Sequence, residues 1–174
     1  MSNKKNNRYV ALDFETLDYW RASVCSLSIV VIEDNKIKNK YYFLVCPPSK
    51  NEAYYCIQTH GLHYKDVKDA PDFKTIWDKV DKIIDGSPII AHNASFEKSC
   101  INACHEEFGT NNEYEYIDTL KIARKYLPNL SNHKLDTVSE AIGHDLKNHH
   151  NALDDAIACA NIFIKLNKKH KLYD

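Results

Sequence analysis

At 174 residues, 44% of them hydrophobic and 27% charged, the chain has the size and balance of one ordinary globular domain, one that buries about 70% of its unfolded surface. Its 23 Lys and Arg against 24 Asp and Glu leave a formal charge of −1, which excludes a protein that coats nucleic acid by charge alone and, with this apolar content, a disordered chain. Four glycines and five prolines exclude collagen-like and Gly/Pro low-complexity sequence, and no stretch approaches the roughly 20 apolar residues of a membrane span. The polar opening, Met1 to Arg8, lacks the apolar region of a signal peptide, so the expected compartment is the cytoplasm, with a monomer as the default state. In chain order, Tyr9 to Phe14 is a short apolar run that predicts a buried strand. Val24 to Ile32 predicts a second. Glu33 to Lys36 is turn material, and Ile37 to Cys46 returns as a third strand, closed by Pro47-Pro48 because proline lacks the donor a ladder needs. Three strands on tight turns imply an antiparallel meander. No element is assigned between there and Pro71, and His60 reads as a loop histidine.

Beyond Pro71 the period becomes helical. Phe73, Ile76, Trp77, Val80, Ile83 and Ile84 share one stripe, with Trp77 a core residue and Gly86 the stop. A short strand at Pro88 to His92 leads into a helix from Ser95 to Phe108. Tyr114 to Ile117 reads as a further strand, running through Asp118 as an N-cap into a helix over Thr119–Tyr126. Leu135 to Ile142 forms a helix ending at Gly143, and Ala152 to Leu166 a long one with a solvated lysine-rich tail. A meander followed by alternating helices and strands gives the α/β class, a mixed sheet flanked by helices. Six cysteines show no CxxC pair; Cys100 and Cys104, one helical turn apart, read as small buried residues rather than zinc ligands.

Three segments carry chemistry. Asp13 and Glu15, at positions i and i+2 of the first strand, present two carboxylates on one face, a repulsion that a hard divalent cation or solvent must offset. His92 to Glu97 follows another apolar strand and puts Glu97 in a helix's first turn. His149 to Ala156 sets histidines just outside a helix whose opening turn holds Asp154 and Asp155. Each alone is explained by a solvated strand end or a capped helix. In this order, at the ends of apolar elements, Asp13-Phe14-Glu15-Thr16, His92-Asn93-Ala94-Ser95-Phe96-Glu97 and His150-Asn151-Ala152-Leu153-Asp154-Asp155-Ala156 resemble the DEDDh-type 3′→5′ exonucleases of the ribonuclease H-like fold, the family of the DNA polymerase III epsilon (proofreading) subunit. Weaker matches stand at Val24-Cys25-Ser26-Leu27, His60-Gly61-Leu62, Asp118-Thr119-Leu120 and His133-Lys134-Leu135.

The resemblance covers about residues 8–166 and implies a single exonuclease domain over 1–174. It implies that Asp13, Glu15, Glu97 and Asp155 hold two divalent ions, Mg²⁺ or Mn²⁺, and that His150 is the general base, all four of Asp13, Glu15, Asp155 and His150 being catalytic. It further implies that Thr16, Asn93, Phe96 and His60 meet the substrate, with Phe14 or Phe96 supporting the site from behind. The expected reaction is hydrolysis of single-stranded DNA from its 3′ end to 5′-monophosphates, with a DNA polymerase as a possible partner. The alternatives are an RNA 3′-end trimmer or a catalytically impaired nucleic-acid-binding module. The last is motivated by Glu97, which stands where the family has aspartate; the extra methylene moves the carboxylate by about 1.5 Å against a tolerance near 0.5 Å. A second departure is of register, since His149…Asp154 and His150…Asp155 both satisfy H-x4-D; the alanines that follow favour the second pair. Tyr19 and Trp20 either stack on a splayed base or pack as loop aromatics. Lys121, Arg124 and Lys125 line a nucleic-acid path or describe a solvated face.

Overall fold

A computed structural model describes residues 7–173. Strands β1 (Arg8–Thr16), β2 (Val24–Glu33) and β3 (Lys36–Leu44) form the antiparallel meander. Asp34 and Asn35 both take positive φ, 50° and 56°, as the two-residue turn between twisted strands requires. Strands β4 (Ile89–Ala91) and β5 (Tyr116–Asp118) extend the sheet in parallel, β4 beside β1, giving the order β3-β2-β1-β4-β5. The third strand stops at Leu44, short of the expected Cys46, which instead bridges to Asp72.

The central strands are apolar on both faces because helices cover both. On one side, α3 (Phe73–Ile84) and α4 (Ser95–Phe108) pack Phe73, Trp77, Ile84 and Ile101 against Val10, Leu12 and Phe14. On the other, α5 (Thr119–Tyr126), α6 (Leu135–Ala141) and α7 (Ala152–His170) pack Ile122, Val138 and Phe163 against Ala11, Val30 and Ile32. Strand period therefore assigns even residues of β1 to α3 and α4, and odd residues to α7. Asp13 and Glu15 continue the odd row.

Helix α3 starts where Asp72 accepts from the Thr75 N–H, at 2.8 Å, and stops at Asp85, whose φ of 49° ends the turn one residue before the expected glycine. Two short helices, α1 (Tyr54–His60) and α2 (Tyr64–Val67), occupy the segment where no element is expected. Each buries a single apolar residue, Ile57 and Val67, against Leu17 and Cys25. Helix α7 runs four residues past the expected Leu166. Its lysines are exposed, but Asn167 is buried and accepts from the Leu172 and Tyr173 N–H groups at 3.0 and 2.9 Å, folding the end of the chain back on the helix. Among the described residues, no helix is long and apolar enough to cross a membrane.

Candidate active site

The first turn of α7 is built to present one carboxylate. Asn151 caps it, its side-chain oxygen accepting from the Leu153 and Asp154 N–H groups, so the helix starts in register with the end of β1. Asp155 is 5% exposed, and one oxygen from each of Asp13, Glu15 and Asp155 lies within 4.8 Å of the others. Asp154 faces away, taking the Asn148 amide at 2.8 Å. The two histidines of the ambiguous register are both beside Asp155. His149 Nδ1 stands 3.1 Å from Asp155 Oδ1, while the backbone N–H of His150 donates to Oδ2 at 3.0 Å. Their rings stack with centroids 3.8 Å apart. His150 holds φ 71°, a left-handed conformation uncommon for a side chain of this size.

Glu97 comes from the first turn of α4 and is folded inward, 4% exposed, with Oε2 lacking any hydrogen-bond partner. It stands outside the 4.8 Å set but within electrostatic reach of Asp13 and Glu15. Burial pushes its carboxyl up to about 8, with Asp118 and Glu15 adding repulsion and Arg21 opposing it. Burial likewise raises Glu15 to about 8, Asp155 contributing. Asp13 is raised well above the carboxylate range by burial, then by Glu15, Glu97 and Asp155. Opposite Asp13 in the β1–β2 ladder lies Ser28, whose buried hydroxyl is also without a partner. A cluster of acids held against one another, Asp13 and Glu15 half-buried and Glu97 and Asp155 buried, with one carboxylate oxygen unspent, is an all-oxygen donor set short of positive charge. It suits a hard divalent cation such as Mg²⁺ or Mn²⁺.

The remaining expected residues flank this set. Thr16 is buried at a bulge between Glu15 and itself, a device that re-aims a strand end. Its carbonyl accepts from His60 Nε2 at 3.1 Å, while His60 Nδ1 accepts from the Leu62 N–H at 3.1 Å. His60 is thus the last residue of α1 rather than a loop residue, and both ring nitrogens are engaged by backbone, so the ring holds Thr16 instead of reaching outward. Asn93, also left-handed at φ 77°, donates its N–H to Asp118 Oδ1 at 3.1 Å. Asp118 caps α5 by accepting from the Leu120 N–H, so the N-cap expectation holds. Phe96 is half-buried under the Arg21 guanidinium, 4.4 Å from the ring centroid. Phe14 stacks on Trp77 behind the strand. Sequence reasoning does not find Arg21, Ser28 or the cap at Asn151. Two of them have a sequence signal: the serine is a polar residue inside an apolar strand, and Asn151 is a favoured capping residue just ahead of a helix.

A family model, RNase_T, described as exonuclease, matches residues 10–163. The DNA polymerase III PolC-type protein of Caldanaerobacter subterraneus subsp. tengcongensis is 32% identical over 163 residues, which is 92% of this chain and 12% of that protein. The chain therefore spans about an eighth of the length of that relative. Two solved structures share the fold. The nuclease domain of 3′hExo, described as a DEDDh family member bound to rAMP, gives a TM-score of 0.82 at 16% identity, covering 97% of this chain and 96% of that one. Exonuclease X in complex with 5′ overhanging duplex DNA gives 0.77 at 21% identity, with 95% and 94% covered.

Proposed function

The chain belongs to the RNase_T exonuclease family, and from that premise we propose that it is a DEDDh-type 3′→5′ exonuclease that removes nucleotides from the 3′ end of single-stranded DNA, releasing nucleoside 5′-monophosphates. The observation that carries this reading is the meeting of Asp13, Glu15 and Asp155, drawn from both ends of the chain, within 4.8 Å. These three and Glu97 would hold two divalent cations, Mg²⁺ or Mn²⁺. Bound there, such ions offset the charge that grows on the attacked phosphate and acidify a water. His150 would accept the proton from the attacking water. Burial, then the neighbouring His149, lowers its imidazole pKa, so the ring is neutral near pH 7, the state a general base needs. The water oxygen bonds to phosphorus as the bond to the chain's 3′ oxygen breaks, and the leaving oxygen takes up a proton. The Thr16 backbone, kept in place by His60, meets the terminal nucleotide together with Asn93 and Phe96.

The PolC-type relative supports action beside a replicative DNA polymerase, which would place the protein in the cytoplasm. The test is cleavage of end-labelled single-stranded DNA and RNA with Mg²⁺, Mn²⁺ or EDTA. Laddering of DNA from the 3′ end that requires metal and falls at least about a hundredfold in Asp155→Ala is expected. Preferential cleavage of RNA would overturn the substrate, and binding without cleavage under any metal would overturn the enzyme.

A further inference from the structure

Beside the acidic site, on the side of Glu97, the surface opens into a groove of about 590 Å³ between α4 and α5. Its mouth is the Asn93–Ser95 turn, which also begins the helix carrying Glu97. Its back includes Tyr116, close enough to Glu97 that the carboxylate helps raise its hydroxyl pKa. Three cations face it: Lys98 from α4, and Lys121 and Arg124 from α5. All three are exposed, and among the described residues none forms an ion pair. Lys98 lies over the Tyr116 ring, its Nζ 5.7 Å from the centroid. The groove's one carboxylate, Asp118, is spent on the N–H groups of Asn93 and Leu120.

On a chain with net charge −1, unpaired cations gathered in one concavity next to an acidic centre are not explained by average surface composition. Lys121 and Arg124, at positions i and i+3, stand side by side about 5–6 Å apart on their helix. We infer that this groove binds the phosphodiester backbone of the nucleic acid beyond its terminal nucleotide. The inference rests on the nuclease reading above and adds to it a second, purely electrostatic contact surface. Phosphates supply what the three cations lack, and Lys98 links the two surfaces because it directly follows Glu97 in the first turn of α4. The backbone is either the strand being shortened or a strand paired with it, and both present the same chemistry.

Two variants test it, Lys121→Glu/Arg124→Glu and, as a control on the same helix, Lys125→Glu, whose ammonium sits over Tyr126 outside the groove. Binding of a labelled oligonucleotide of roughly 12 residues is followed against salt in EDTA, where no cleavage intervenes. The double variant is expected to weaken binding about tenfold or more and to flatten the log–log salt slope by roughly 1.4, two phosphate contacts at about 0.7 each, with a clearly smaller effect of Lys125→Glu on both. In the presence of Mn²⁺, the wild-type advantage in kcat/KM is expected to grow from a dinucleotide to the long oligonucleotide. A larger loss on single strands assigns the groove to the shortened strand, and a larger loss on duplex ends to its complement. An unchanged salt slope, or an equal effect of the control, overturns the groove. Absence of cleavage by the wild type with the slope change intact overturns the nuclease reading and leaves the groove standing.

Discussion

Glu97 carries one methylene more than the aspartate its family leads one to expect, and the helix turn that bears it aims the longer side chain inward beside Asp13 and Glu15. Burial without a partner for Oε2 costs free energy that only a cation or a proton offsets. Glu97→Gln is therefore expected to raise the Mn²⁺ concentration for half-maximal activity by about 10–100-fold, read from metal titrations of cleavage. An unchanged requirement would separate Glu97 from the metal site. The histidine register gives a second test. His150→Ala should lower kcat by about 10²–10⁴, the worth of a general base, and His149→Ala by less than about tenfold. The reverse ranking would transfer the base to His149. At this scale the sequence displays the acids, since DxE in a strand and acids in opening helix turns follow from periodicity. It does not show which histidine faces outward, because both stand next to Asp155, nor that the nitrogens of His60 are spent on the backbone.

The start of α7 sets the position of Asp155 relative to β1, and Asn151 sets the start of α7. Asn151→Ala removes an acceptor for two helix N–H groups at a cost of about 1 kcal/mol. The expected result is a melting temperature lower by about 2–4 °C, accompanied by weaker metal binding because the first turn frays. A loss of stability with metal affinity intact would show that the cap does not govern the site. The long helices α3, α4, α5 and α7 are legible because their apolar stripes run for two turns or more, and α3, α5 and α7 follow Asp72, Asp118 and Asn151, residue types that favour helix starts. Helices α1 and α2 are not. With seven and four residues and one buried side chain each, they are shorter than the window in which a helical period can be told from chance. What holds them is tertiary, the packing of Ile57 and Val67 on Leu17 and Cys25 and the bond from His60 to Thr16.

Across the whole molecule the two helical layers press a row of carboxylates into the interior at one end of the sheet, so charge and stability are linked. The folded-state pKa values of Asp13, Glu15 and Glu97 are raised above the unfolded range near 4 to 4.5. Between that range and about 8, the folded protein keeps protons that the unfolded chain releases. This contribution to stability is complete below the unfolded range and is lost as pH rises through the folded values. In EDTA the melting temperature should accordingly be lower near pH 8 than near pH 5.5, by at least about 3 °C, and millimolar Mn²⁺ should restore it at the higher pH. A melting temperature that rises with pH in EDTA would contradict the raised pKa values of these three acids. The fold class was open to sequence reasoning because strands of period two and helices of period 3.6 alternate in one consistent order. The basic groove was not, since Lys121 and Arg124 at helical spacing describe any wetted helix until Lys98 is brought across from α4.

The most direct test of the central claim is anomalous diffraction at the manganese edge from crystals soaked in Mn²⁺. The account predicts anomalous peaks within coordination distance of Asp13, Glu15 and Asp155, one of them touching Glu97 directly or through water. Manganese bound elsewhere, with these four carboxylates uncoordinated at saturating concentration, would contradict it.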